Sequence, residues 1–167
     1  MARSARSAPD PDRDPDTVGG GDVDGGGDVD GGGGADRTLS LGEWVCLSLV
    51  CCGATHGWAI VKELEPEAPV GSIWSLTRQL TYRALEQLTA KALLARRGHQ
   101  PGRGPGKVLL DVTPAGRRAV LGWLDTPVAH VRDVRTEGLL KLLLRERLRL
   151  ENAPFIRAQQ ATLQPII

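Results

Sequence analysis

The residues with the most chemistry to offer lie in the stretch "WSLTRQLTYRALEQL" (74–88). Read as a helix, it puts Gln79, Tyr82, Arg83 and Glu86 on one side, with Thr77 and Arg78 at its entrance. An arginine fork can donate a pair of hydrogen bonds to the O6/N7 edge of guanine, and a glutamine amide can pair with the N6/N7 edge of adenine. Threonine and tyrosine hydroxyls suit phosphate oxygens. The same face could also do no more than keep a helix solvated. Leu80, Ala84, Leu85 and Leu88 fall at helical spacing on another side, so the pattern predicts that they face a core. Arg83, on the face of Gln79, is one candidate base reader. Arg78 and Gln79 are the others, in which case Arg83 holds phosphate.

No comparable set of residues points to catalysis. His56, His99 and His130 lie far apart, without a carboxylate or cysteine at ligand spacing in the same element, so neither an enzyme nor a metal or other cofactor is expected. "GRGPGK" (102–107) superficially suggests a phosphate-cradling loop. It departs from that pattern: Pro101 stands where the loop's first glycine is needed, Val108 replaces Ser or Thr after the lysine, and no helix begins there. Cys46, Cys51 and Cys52 are odd in number and fit no tetrahedral zinc spacing, which reads as buried cytosolic thiols or as a redox switch through Cys51 or Cys52. Trp44, Trp58, Trp74 and Trp123 read as core and inter-element packing, with an aromatic effector pocket as the alternative.

These residues need elements to hold them. "SLGE" (40–43) is a capping box that opens a helix running to Gly53 through Trp44, Val45, Leu47 and Val50. "ATHGWAIVKELEP" (54–66) restarts as a second helix, with Thr55 as cap, His56 capping or packing near its start, and Pro66 as terminator. A loop, "EAPVGSI", leads to the third helix, capped by Ser75 or Thr77 and ending near Ala90. The period then changes: "ALLARRG" (92–98) and "KVLLDVT" (107–113) read as strands around a Gly- and Pro-rich tip, "HQPGRGPG" (99–106). Thr113 and Pro114 open another helix that closes at Pro127. A leucine-rich helix spans 135–150, interrupted by Gly138 at a cost of about 1 kcal/mol against alanine, and Asn152 and Pro154 start a last helix to about Leu163.

Three helices followed by a hairpin with a basic tip make a mainly α fold with a small β-hairpin, an α+β winged helix-turn-helix. In that plan the third helix enters the DNA major groove and the tip lies along the backbone. The expected DNA-binding residues are therefore Thr77, Arg78, Gln79, Tyr82, Arg83, Arg103 and Lys107, and the expected partner is double-stranded DNA. A winged helix that binds only other proteins is the alternative.

Composition agrees with this division. Residues 1–36 carry nine Asp against three Arg, a net −6, and the remainder carries eighteen Lys and Arg against eleven Asp and Glu, a net +7. The basic part suits a polyanion. The repeat "GGGDVDGGGDVD" (19–30) offers no core-forming side chain, so residues 1–37 are expected to be a disordered acidic tail. Its charge would compete with DNA at low salt. The winged helix is expected over 38–126 and a helical dimerisation region over 127–167. There Leu139, Leu140, Leu142, Leu143 and Leu144 exceed what one short helix can bury, while Lys141, Arg145 and Arg149 are expected to be solvated. The first residues hold no apolar run of a signal peptide, and "WVCLSLVCCGA" (44–54) is too short to span a bilayer. A cytoplasmic protein without membrane contact is expected.

Three segments carry a family resemblance: "LSLGEWVCLSLV…THGWAI" (39–60), "SIWSLTRQLTYRALEQLTAKALL" (72–94) and "LDVTPAGRRAVLGWL" (110–124). Together they resemble the PadR family of bacterial transcriptional regulators. His56-Gly57-Trp58 matches the family's His-Gly-aromatic, with Trp where Tyr is usual. Tyr82 to Leu85 matches its Tyr-Arg-Ala-Leu, and Thr113 to Arg117 its Thr-Pro-Ala-Gly-Arg. "HVRDVRTEGLLKLLL" (130–144) is similar to the start of the family's C-terminal region. The resemblance implies a homodimer joined by C-terminal helices, an inverted-repeat operator, usually repression, and in some members release by a small-molecule effector.

Overall fold

The capping box at Ser40 sets the first helix, α1 (Leu41–Cys51), as the sequence predicts: Ser40 Oγ accepts from the Glu43 amide at 3.3 Å, and Glu43 Oε2 accepts from the Ser40 amide at 2.7 Å. The computed structural model describes residues 39–102 and 104–166; the acidic tail lies outside them. Every residue of α1 from Gly42 to Val50 is buried, so the remaining elements pack around it. Trp44 stacks on Trp123, with parallel rings 5.4 Å apart, at the centre of one core that also holds Leu47, Leu64, Leu88 and Leu124. Gly53 ends the helix at φ +108°, a conformation glycine adopts without strain. Burial pushes the Cys46 thiol up to about 12 and Cys52 to about 11, and raises Cys51 as well. Thiolate is scarce at neutral pH in such thiols, which argues against a redox switch through Cys51 or Cys52.

The second helix, α2 (Gly57–Glu63), is capped by one of the two residues that the sequence offers. His56, not Thr55, is the cap, and its Nδ1 accepts from the Ala59 amide at 3.1 Å. Thr55 is occupied elsewhere: its carbonyl accepts from the Leu110 amide at 2.7 Å, and His56 bridges to Leu109, so the α1–α2 connection lies along the hairpin. The expected loop 67–73 contains a short helix, α3 (Pro69–Ile73). Pro69 pre-sets its first turn and Val70 is fully buried. Helix α4 (Arg78–Ala90) is the third helix of the sequence reading, and Thr77 is its cap, with Oγ1 accepting from the Leu80 amide at 3.3 Å. Its buried stripe is Thr81, Ala84, Leu85 and Leu88. Leu80 is 47% exposed, contrary to expectation. Thr81 takes the inner place because its hydroxyl donates to the Thr77 carbonyl at 2.9 Å, which removes the cost of burying it.

Two antiparallel strands follow, β1 (Leu94–Gly102) and β2 (Gly104–Val112). They extend well into the stretch expected to be a loop tip. The register pairs Leu94 with Val112 and Gly102 with Gly104, with irregularities between Arg96 and His99 and between Gln100 and Gly102. Gly98 takes φ +63° in the first irregularity, where a bulge needs it. A two-stranded ribbon also tolerates prolines, because a missing amide donor can face outward. Thr113 caps α5 (Pro114–Asp125) as predicted: its Oγ1 accepts from the Gly116 amide at 3.0 Å and donates to the Ala92 carbonyl at 2.8 Å. A Cβ on Gly116 would stand 2.2 Å from the Leu93 carbonyl oxygen. The glycine of "TPAG" therefore lets α5 sit directly against the chain entering β1.

The leucine-rich segment departs most from expectation. It starts as α6 (Val131–Asp133), passes through a π-helical turn (Val134–Gly138) and becomes α7 (Leu139–Arg147); α8 (Asn152–Leu163) follows. Leu140 and Leu144 are fully buried in the same core as Trp44 and Leu124. Lys141 and Arg145, expected in solvent, are buried too. Lys141 Nζ donates to the Thr126 carbonyl at 2.8 Å, pairs with Glu137 at 2.7 Å and lies 4.9 Å from the Trp123 ring centroid. Burial pushes its ammonium below the usual lysine value, and Glu137 offsets part of that. Arg145 donates to the carbonyls of Leu124 and Glu151, at 3.1 and 2.6 Å, pairs with Asp125, and faces the Phe155 ring. Both cations thus cap the carbonyl end of α5, where helix geometry leaves acceptors unpaired and the dipole is negative. Substituting Arg145 by alanine leaves the buried Leu124 carbonyl and the part-buried Glu151 carbonyl without their donor and should cost about 2–4 kcal/mol in denaturant unfolding. Lysine there should restore only part, because a point charge cannot span both acceptors. A loss below about 1 kcal/mol would contradict the capping role.

Candidate nucleic-acid interface

Helix α4 presents the residues singled out by spacing on its outer side. Thr77, Arg78, Gln79, Tyr82 and Arg83 are all exposed, while the opposite side is buried. Thr77 spends its oxygen as the helix cap, and its hydroxyl hydrogen remains for an outside acceptor. Gln79 and Arg83 are four apart on the outermost line of the helix. Among the described residues Arg83 makes no ion pair or ring contact, so its guanidinium is held only by its own stem.

Arg78 is held quite differently. Its guanidinium carbon lies 5.5 Å from the Trp58 ring centroid and 5.8 Å from that of Tyr82, both within cation–π range. Trp58 belongs to α2 and is 41% exposed, so it packs between elements and not in the core. Lys62 lies over the same indole at 4.8 Å and is paired with Glu65 at 2.8 Å. Tyr82 sits against the start of α2: a Cβ on Gly57 would stand 2.6 Å from its Cε1. Gly57 therefore makes the seat, and the His-Gly-Trp triplet has three separate roles: cap, seat and ring. Only the first was legible from residue types alone. The signal for the other two was a glycine at the first position of a helix, where nothing in the backbone requires one.

The hairpin supplies the other expected contacts. Lys107 is exposed on β2, opposite Gln100 in the register. Arg103 lies outside the described residues. On β1, Arg97 pairs with Asp111 at 2.7 Å. Among the leucines expected at a dimer face, Leu139 is 46% exposed and Leu143 half-buried, whereas Leu140 and Leu144 are engaged within the chain. Among the described residues no His, Cys, Asp and Glu cluster could hold a metal ion, and no helix is long and apolar enough to cross a membrane.

Gly57 offers a direct test of this geometry. The atom that an added Cβ meets belongs to a half-exposed ring, not to backbone, so Gly57→Ala should leave the melting temperature nearly unchanged while displacing Tyr82. Tyr82 is the chain's one tyrosine, and its ring resonances report that displacement without ambiguity. Unshifted tyrosine resonances in the variant would show that Gly57 does not make the seat.

No protein-family model matches the chain, and no curated protein matches it. Among solved structures, it is similar to the crystal structure of Bacillus subtilis PadR in complex with operator DNA, with a TM-score of 0.49 and 23% sequence identity. The match covers 62% of this chain and 58% of the length of that one.

Proposed function

We propose that this chain is a DNA-binding transcriptional regulator of PadR type, a dimeric repressor that sets α4 in the major groove and the hairpin along the phosphate backbone. One observation carries this reading: a single exposed helix face collects Arg78, Gln79, Tyr82 and Arg83, the donor set that base edges and phosphates require. Thr77 joins them at the helix start, and Lys107 belongs to the neighbouring hairpin; Arg103 is kept as a phosphate contact from the sequence alone. The +7 charge of residues 37–167 supports the same partner. Release by a small-molecule effector belongs to the proposal on the family resemblance alone.

Selection of duplexes from a random pool by the full chain tests it. An inverted repeat should emerge, and binding to it should weaken steeply with salt. Lys107→Ala should weaken binding to the selected and to a scrambled duplex alike, and should lower the salt slope by roughly one per lost phosphate contact. A pool that shows no enrichment leaves the protein-interaction module as the better account.

The dimer is proposed to form through the C-terminal helices, where Leu139, Val131 and Ile156 remain exposed and Leu143 is half-covered. Removing everything after Asp125 would strip Leu140 and Leu144 from the core, so a point substitution is the cleaner probe. Leu139→Glu should convert a sedimenting dimer to monomer with little change in melting temperature. A wild-type chain that sediments as a monomer at micromolar concentration rejects the dimer.

A further inference from the structure

The first residue of α4 is a cation in a place that helix electrostatics disfavours. The amino end of a helix carries the positive end of its dipole, and the first turn of α4 has no acidic residue to balance Arg78. Two rings occupy that position instead. Trp58 comes from α2 and Tyr82 from the next turn of α4, and the guanidinium carbon lies within 6 Å of both centroids, at 5.5 and 5.8 Å. The rings are themselves fixed: Lys62 lies over Trp58, and Tyr82 occupies the space that Gly57 leaves open. Trp58 and Tyr82 are also among the few large apolar side chains left exposed, and neither belongs to the core.

A guanidinium has five N–H donors around its edge and none on its faces. With its carbon over two rings, the guanidinium can keep edge donors for an acceptor in front of the helix. A phosphate accepts from almost any direction, and the point charge of lysine serves it well. Fixing the plane of an arginine gains most when the acceptors form a pair of set spacing and plane, as O6 and N7 of guanine do. Pre-ordering matters here, because arginine otherwise gives up much rotamer freedom on binding.

We propose that Arg78 reads a guanine in the major groove through a two-pronged contact, and that Trp58 and Tyr82 are positioning residues that hold its fork. The proposal rests on the DNA-binding function above and assigns the base-reading role within it. Arg83, lacking such a clamp, is the residue left to anchor phosphate.

The test uses the full chain, the duplex obtained by selection, a scrambled duplex, and selected duplexes with 7-deazaguanine replacing one guanine at a time. Arg78→Ala should weaken binding to the selected duplex by about 5- to 150-fold per half-site while leaving the scrambled duplex nearly unaffected. Arg78→Lys should lose as much, because it keeps the charge and loses the fork. Trp58→Ala should reproduce most of that loss and add little to Arg78→Ala, whereas Trp58→Phe, which keeps a ring, should bind like wild type. One 7-deazaguanine position should penalise wild type and leave Arg78→Ala indifferent. Equal losses on both duplexes, or full activity of Arg78→Lys, would make Arg78 a phosphate anchor and overturn the assignment. Additive losses from Trp58→Ala and Arg78→Ala would remove Trp58 as a positioning residue. A wild-type chain that does not prefer the selected duplex to the scrambled one overturns the DNA function, and this assignment with it. Specific wild-type binding that Arg78→Ala leaves intact overturns the assignment alone.

Discussion

The carboxylate of Glu43 is the contact on which the rest of the arrangement depends. It is 3% exposed, yet it accepts from the Ser40 amide and, at 2.6 Å, from Lys91 at the far end of α4. Burial pushes its acidity toward the neutral form, but the Lys91 and Ser40 bonds outweigh that and hold it below the usual carboxylate value. It is therefore charged at neutral pH, and a buried charge must keep its partners. One side chain thus closes the first turn of α1 and ties down the carboxyl end of α4. The amino end of α4 is fixed separately, by Thr77 and by the packing of Tyr82 on α2. A helix held at both ends presents its outer face at a set angle, which directional hydrogen bonding to base edges requires.

The carbonyl end of α5 organises the other half of the fold. The carbonyls of buried Leu124 and of Thr126 stand at the end of α5, where the helix itself supplies no partner. Lys141 and Arg145 reach them from α7, four residues apart and on one side. Leu140 and Leu144 alternate with them and fill the core beside Trp44. The C-terminal helices are consequently not an arm hung on a finished domain. They complete the core around α1, and their remaining outer surface is smaller than the run of leucines suggests.

What the sequence disclosed depended on whether the signal was local. Ser40 with Glu43, and Thr113 with Pro114 and Gly116, name their helix ends because each cap is made by residues three apart. Burial was harder to read where polar chemistry intervened. Thr81 replaces Leu80 on the inner stripe through a hydrogen bond to the Thr77 carbonyl, and apolar periodicity cannot see that exchange. Lys141 and Arg145 look like a solvated flank because charge usually means solvent, yet the Thr126 carbonyl lies 15 residues before Lys141 and the Leu124 carbonyl 21 before Arg145. Helix α3 is too short to show a period. The hairpin extends through glycines and prolines that composition alone reads as loop. Among the site residues, the outer face of α4 followed from spacing, whereas Trp58 could join it only once α2 and α4 were seen to cross.

Large apolar side chains left in solvent also sort by place. Among the described residues they are Trp58, Leu80 and Tyr82 around the start of α4, and Val131, Leu139 and Ile156 in the C-terminal helices. None lies on α1, on α5 or on the strands, so the two groups do not look like random leakage from a poor core. At the first group, cations share the surface with the rings, which suits a polar, charged partner that is met and left reversibly. At the second, exposed Val131, Leu139 and Ile156 adjoin leucines already committed to the core, which suits a lasting apolar contact. The π-helical turn at 134–138 joins α6, which carries Val131, to α7, which carries Leu139, and is closed by Gly138. It is also the point where Glu137 is turned inward to meet both the Trp123 indole and Lys141. Leu140 and Leu144 also tie α7 directly into the core beside Trp44, and Arg147 pairs with Glu63 of α2 at 2.9 Å, so the C-terminal helices meet α1 and α2 by several contacts at once.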